Sequence, residues 1–302
     1  MTKEQLFIQL SKKLSSHDLF YGHAVIDADD EAMMVLMYLF KQNVNEILSN
    51  SAGKVQTEDK NKAHNIVDER ISSLKPMAYI IGEVHFCELT FIIDPRALVP
   101  RSPIAELIIN GFKPWINMSN IRTALDLCTG SGCIGISVAK YFEHIQVDLS
   151  DISNQAIVLA KENIALHHVK NRVSAIGSDL FQNISKKYDL IIANPPYVSD
   201  IEYNQLPKEY KHEPKLGLVT EFNGLRIPLD ILIMAPDFLN ENGRLFLEVG
   251  YSDEVLNAAF PQIKFEWIDF LNGGEGVCVF SKQKLLEYQH YFKAFLERCY
   301  VI

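Results

Sequence analysis

Leu125-Asp126-Leu127-Cys128-Thr129-Gly130-Ser131-Gly132-Cys133-Ile134-Gly135 decides the fold. A short apolar run enters a glycine turn, and a helix-compatible stretch, residues 133–142, leaves it. The order is strand, tight turn, helix. Glycine lets the backbone come close to a ligand, and the first N–H groups of a helix have no partner within it. A G-x-G-x-x-G spacing in this setting suits a nicotinamide cofactor and S-adenosylmethionine equally, and a tight turn without ligand also satisfies it. Asp126 tilts the choice. A carboxylate ahead of the turn disfavours a pyrophosphate and suits an ammonium, met through the loop or a water.

The flanking sequence repeats this unit. Strands are expected in residues 122–128, 144–151, 172–181, 188–197 and 243–250, with helices over 104–116, 133–142, 154–167 and 226–239. Residues 265–270 and 276–282 read as a closing antiparallel pair, and 282–302 as an amphipathic helix packed on the domain. Alternating strands and helices imply an α/β fold, a mostly parallel sheet covered on both faces. The first 75 residues differ. Residues 4–14, with Leu6, Ile8, Leu10 and Leu14, residues 27–40 and residues 64–74 have helical spacing, and the polar segment 49–62 reads as a loop. Pro76 closes this helical part. Residues 84–94 alternate as a strand or hairpin, and 94–103 form a Pro-rich connector. The expected organisation is a helical domain (1–84), a hairpin and connector (85–102) and a Rossmann-like domain (103–302).

Composition sets limits. The chain has 302 residues, 48% hydrophobic, enough for about two domains. Acidic residues outnumber basic ones by 38 to 29. That argues against binding nucleic acid by blanket phosphate neutralisation, so direct DNA binding is not expected. Five scattered cysteines without a C-x-x-C pair read as reduced thiols, with neither a disulfide frame nor a metal site. No apolar run nears the ~20 residues of a membrane span, and the N-terminus lacks the apolar stretch of a signal peptide. A cytoplasmic protein is the expectation.

Two acids fall where a Rossmann-like fold meets a nucleoside. Asp151, at the end of the second strand and preferred there over Asp148, can accept from both ribose hydroxyls or cap the helix that follows. Asp179, after the third strand, can accept from an adenine amino group, with Leu180 or Phe181 covering the ring.

The fourth strand ends abruptly in Asn194-Pro195-Pro196-Tyr197. A residue before proline is pushed to extended geometry, and proline has no N–H. What remains are acceptors, the Asn194 side-chain oxygen and the Pro195 carbonyl, beside the flat ring of Tyr197. Such a corner grips a planar NH₂, from an amide or from the exocyclic amine of a base. It orients a weakly nucleophilic nitrogen and stabilises charge growing on it.

With these motifs in this order and spacing, the chain resembles the HemK-type protein-glutamine methyltransferases along nearly its whole length. The resemblance implies that the helical domain (1–84) helps seat the protein substrate, with S-adenosylmethionine as cofactor and S-adenosylhomocysteine as product. It implies that Asp126, Cys128, Thr129, Gly130, Ser131, Gly132, Asp151, Asp179, Leu180 and Asn194 surround the cofactor. Asn194, Pro195, Pro196 and Tyr197 would hold the glutamine, with Asn194, Pro195 and Tyr197 acting in catalysis and no metal involved. Arg101 and Glu213 would shape the substrate channel, or serve as a connector cap and an internal ion pair. His23 and His212 would be structural. Four stretches, at residues 98–108, 21–23, 210–214 and 272–277, resemble the branch that modifies the third large-subunit ribosomal protein. Other readings stay open here: methylation of peptide-chain release factors, DNA adenine methylation, or a non-catalytic ribosome-assembly binder.

Overall fold

The computed structural model describes residues 1–299; residues 300–302, the end of the expected C-terminal helix, lie outside the described residues. The chain starts with α1 (Lys3–Ser15), α2 (Ala28–Phe40), α3 (Val44–Ser49), α4 (Thr57–Ser73) and α5 (Met77–Ile81). Leu6, Leu10 and Leu14 recur every four residues and are fully buried, whereas Ile8 lies on the opposite face and is exposed. Helix α4 begins at Thr57, so the second half of the segment expected to be a loop is helical. Pro76 does not end the helical part. It follows the left-handed Leu74 that closes α4 and opens the short α5.

A hairpin follows, β1 (Glu83–Phe86) and β2 (Leu89–Ile92), so the expected division at residue 84 falls within β1. Its two-residue turn, Cys87-Glu88, has both residues at positive φ, the conformation that matches strand twist. Buried Asn163 fastens the hairpin to the glycine turn: its Oδ1 accepts from Ile92 N, and its Nδ2 donates to the Ile92 and Ser131 carbonyls.

Then come α6 (Ile104–Ile109), β3 (Thr123–Leu127), α7 (Cys133–Tyr141), β4 (Gln146–Asp151), α8 (Asn154–Leu166), β5 (Val173–Gly177), β6 (Tyr188–Ala193), α9 (Asp200–Gln205), α10 (Arg226–Phe238), β7 (Leu239–Glu248), α11 (Asp253–Ala259), β8 (Val277–Ser281) and α12 (Lys282–Cys299). The helix expected over 104–116 is shorter. Gly111 and Phe112 turn left-handed, and Phe112 N bonds back to the Leu107 carbonyl, a helix stop. Residues 265–270 form no strand. They do meet β8 antiparallel as expected, through the Trp267–Cys278 bridge and the bonds Ile268 N to Val277 O and Val279 N to Glu266 O, and β8 in turn pairs antiparallel with β7.

The six strands run β5-β4-β3-β6-β7-β8, parallel except for β8. Alternation with period two divides the core. Ala124, Leu190, Ile192 and Phe246 face the layer of α6, α7 and the hairpin; Leu125, Leu127, Ile191, Ala193, Leu245 and Leu247 face that of α10 and α12. Helix α12 packs on α10 and β7, as its amphipathic pattern suggested. Strand order reverses between β3 and β6, and a crevice at the carboxyl ends of these two strands is the usual ligand position of such sheets.

Candidate active site

A cavity of about 560 Å³ occupies that crevice. The glycine turn forms one wall. Gly132 is the N-cap of α7, at φ 84°, and has no side chain to satisfy the helix start. Asp126 supplies the missing acceptor from β3: its Oδ2 accepts from Gly135 N at 2.9 Å and from the Thr129 hydroxyl at 2.5 Å. It shares the strand face of Ala124, beneath α7. Asp126 therefore holds the turn from behind and does not line the cavity, contrary to its expected place beside the cofactor. Its Oδ1 is buried without a hydrogen bond. Burial lifts its pKa to about 7 against the pull of Thr129 and Gly135. Gly132 is likewise absent from the lining, whereas Cys128, Thr129, Gly130 and Ser131 face the cavity. Cys128 adopts φ 60°, the left-handed bend that turns the chain off the strand.

Asp151 stands at the rim. Its Oδ2 accepts from Gly130 N and its Oδ1 from Ser153 N, both at 2.8 Å. The N-cap of α8 is Ser153, which leaves Asp151 to the cavity. Asp148 points elsewhere, accepting from Tyr188 and Lys186. Asp179 is exposed on the lining, and Leu180 forms wall beside it. Phe181 is buried, stacked on Phe238 at 4.5 Å, so it cannot cover a bound ring. Burial, then the charges of Asp151, Asp126 and Asp179, push the Cys128 thiol well up. This end of the cavity is thus electronegative. Each of the three arginines on the wall is bonded to a carboxylate of the protein: Arg96 to Asp94 and Glu162, Arg101 to Glu213, Arg226 to Asp230. Among the described residues no lysine lines the cavity. Such a donor-poor, acidic pocket fits a nucleoside carrying positive charge far better than a pyrophosphate.

Asn194, Pro195, Pro196 and Tyr197 form the opposite wall, leaving β6. Tyr197 is locked by two glycines. A Cβ on Gly224 would lie 2.1 Å from the Tyr197 carbonyl oxygen, and one on Gly250 2.6 Å from its ring. The same carbonyl accepts from the Ser252 hydroxyl at 2.8 Å. Bonds between Val198 and residues 218 and 220 draw the segment 214–221 along the cavity.

Arg101 lines the cavity, but Glu213 does not. Of the two roles left open for Glu213, the structure shows the internal ion pair. Glu213 takes a two-point bond from Arg101 at 2.7 and 2.8 Å, accepts from Val99 N and lies 3.4 Å from His23 Nε2. Burial pushes Glu213 up, yet Arg101 and His23 outweigh it and hold its pKa at about 2. His23 packs against Tyr210 with ring centroids 4.5 Å apart and planes tilted by 44°, a structural contact.

Sequence reasoning missed Glu248. It ends β7 and is almost fully buried. Register pairs Leu247 with Ala193, which sets Glu248 beside Asn194. Its Oε2 accepts from the Ser102 hydroxyl at 2.5 Å, and against the upward push of burial the Arg101 charge, Asn194 and Tyr197 all act to lower its pKa. The available signal was an acid closing an apolar strand, Leu245-Phe246-Leu247-Glu248, at the edge where Asn194 stands.

The model of the methyltransferase small domain matches residues 107–208. The chain is 39% identical over 289 residues to a ribosomal protein uL3 glutamine methyltransferase of Francisella tularensis, covering 95% of this chain and 92% of that protein. It is 40% identical over 277 residues to the protein of the same name from Xanthomonas campestris, covering 91% and 90%. Among solved structures, the catalytic domain of hMettl16 in complex with a MAT2A 3'UTR hairpin superposes with a TM-score of 0.52 at 14% identity, covering 93% of this chain and 91% of that one. At that identity the likeness concerns the fold alone.

Proposed function

The chain belongs to the family of ribosomal protein uL3 glutamine methyltransferases, and from that membership we propose that it methylates the side-chain amide nitrogen of a glutamine in uL3, the third large-subunit ribosomal protein, using S-adenosylmethionine. The observation that carries the proposal is one cavity with the glycine turn and Asp151 on one wall and Asn194-Pro195-Pro196-Tyr197 on the other. When bound, S-adenosylmethionine supplies a methyl group activated by a sulfonium and leaves as S-adenosylhomocysteine. The chain's residues do the rest. Asp151 and Asp179 accept from the nucleoside, and the acidic wall favours its positive charge. The Asn194 Oδ1 and the Pro195 carbonyl take the two amide hydrogens of glutamine, which fixes the nitrogen and stabilises the charge it gains until one of those protons is released to solvent, leaving the neutral N-methyl amide. Tyr197 packs on the carboxamide plane.

The site of action is the cytoplasm, where ribosomal proteins are made; among the described residues no helix is long and apolar enough to cross a membrane. Incubation of the purified protein with S-adenosylmethionine and either uL3 or a release factor, followed by peptide mass spectrometry, tests the reading. One methyl on a glutamine of uL3 is expected. Methylation of the release factor alone would transfer the substrate assignment, and no transfer to either would overturn the proposal.

A further inference from the structure

An asparagine amide is ambiguous as a recognition group, because turning it over exchanges an acceptor for two donors at little intrinsic cost. Which end faces a ligand is set by what the other end bonds to. At Asn194 the neighbour is Glu248, brought alongside by the β6–β7 register. An ionised carboxylate only accepts. Above the value of about 7 to which burial raises Glu248, the carboxyl is ionised, the Asn194 NH₂ turns toward it and Oδ1 faces the cavity. The Ser102 hydroxyl donates to the same carboxyl at 2.5 Å. A buried carboxylate costs stability unless it is bonded in this way. Its place beside the reacting end of the site, away from the ion-paired clamp at Glu213, points to a role in the reaction.

We propose that Glu248 is a positioning residue: it fixes the Asn194 amide with its oxygen toward the substrate, so that the site takes a carboxamide NH₂ and rejects a carboxylate. The proposal rests on the glutamine methylation proposed above. It makes a reciprocal prediction. In Glu248→Gln the new amide donates to Asn194 Oδ1 and turns the asparagine over. A donor then faces the cavity, and kcat/KM for uL3 falls roughly ten- to hundred-fold, the range expected when a buried polar group loses its partner. Asn194→Asp places two carboxylates together and is equally impaired. In the double variant Asn194→Asp/Glu248→Gln, the introduced amide donates to one oxygen of the introduced carboxylate and leaves the other as an acceptor for substrate. Activity returns to within about tenfold of the parent, a coupling of the kind measured between residues in contact.

The experiment measures methyl transfer to uL3 at about pH 8 to 8.5, where Glu248 is ionised, for the parent, both single variants and the double variant. S-adenosylhomocysteine titration by calorimetry shows that each retains the cofactor site. Losses that multiply, or a Glu248→Gln variant as active as the parent, would overturn the role of Glu248 while leaving the reaction in place. An inactive parent would instead overturn the reading on which it rests. Where a variant fails to fold, neutron diffraction on the parent decides alone: deuterium on the Asn194 atom facing Glu248 is expected, and deuterium on the atom facing the cavity contradicts the assignment.

Discussion

In the proposed reaction Asn194 and Asp151 have separate tasks, and substitution tells them apart. Asn194→Ala removes one of the two acceptors for the carboxamide and leaves the glycine turn untouched. S-adenosylhomocysteine affinity should stay within about twofold, while kcat falls by roughly a hundred-fold or more, the loss typical when a group stabilising developing charge is removed. Parent-like turnover would exclude the proposed grip. Asp151→Ala acts on the other wall. It removes the acceptor for Gly130 N as well as the one offered to a ribose. Calorimetry should show S-adenosylhomocysteine binding weakened by at least about tenfold. An unchanged affinity would place the nucleoside elsewhere. Asp126 teaches a different lesson. Its position before the turn was plain in the sequence, but the face it would take was not. The period of the strand sends it beneath α7, where it acts as the cap that Gly132 lacks.

Strand β3, the turn and α7 form a single unit whose tolerance is set at Gly135. A Cβ there would lie 2.2 Å from Leu149 Cδ2 and 2.9 Å from Asp126 Cβ. Helix α7 has no room to retreat, so Gly135→Ala should destabilise by about 1–3 kcal/mol, as overpacked sites do. Urea denaturation would reveal this as a lower midpoint, and an unchanged midpoint would mean that helix and sheet are less tightly apposed than described. The parallel elements from β3 to β7 were readable because each carries a local signal: apolar alternation, a glycine turn, a helical period. The elements misjudged are those decided by partners distant in sequence. Residues 57–62 are polar enough for a loop, yet they form the solvent-exposed first turns of α4, whose later residues Ala63, Ile66 and Val67 are buried. Glu248 was hidden for a related reason. Only the register between β6 and β7 brings it to Asn194, and register is not written in either strand alone.

The N-terminal helices and the catalytic layer meet through buried charge. Arg70, fully buried, bonds Glu31 and the Phe20 carbonyl and lies 3.7 Å from Glu209, while His23 reaches Glu213. These acids give the molecule a pH signature. Arg101 and His23, working against burial, hold Glu213 at about 2, below its ordinary 4.5. Its contribution is therefore present above about pH 4.5 and lost as pH falls from there toward 2. Glu31, Asp126 and Glu248 are raised by burial to about 7. Between their ordinary values and 7 the folded state binds protons that the unfolded chain has released, so stability falls as pH rises through this window. Scanning calorimetry should find the highest Tm near pH 5, with a decline on both sides; a Tm that is level from pH 5 to 8 would contradict the buried acids. The same architecture brings the connector, β6 and β7 together around one corner of backbone that offers acceptors and no donors. A crystal structure with S-adenosylhomocysteine and a glutamine-bearing uL3 peptide would show whether that corner does what is proposed. The account predicts the glutamine amide nitrogen within hydrogen-bonding distance of both Asn194 Oδ1 and the Pro195 carbonyl, directed at the sulfur. A glutamine seated elsewhere, or an Asn194 turned away from the sulfur, would contradict it.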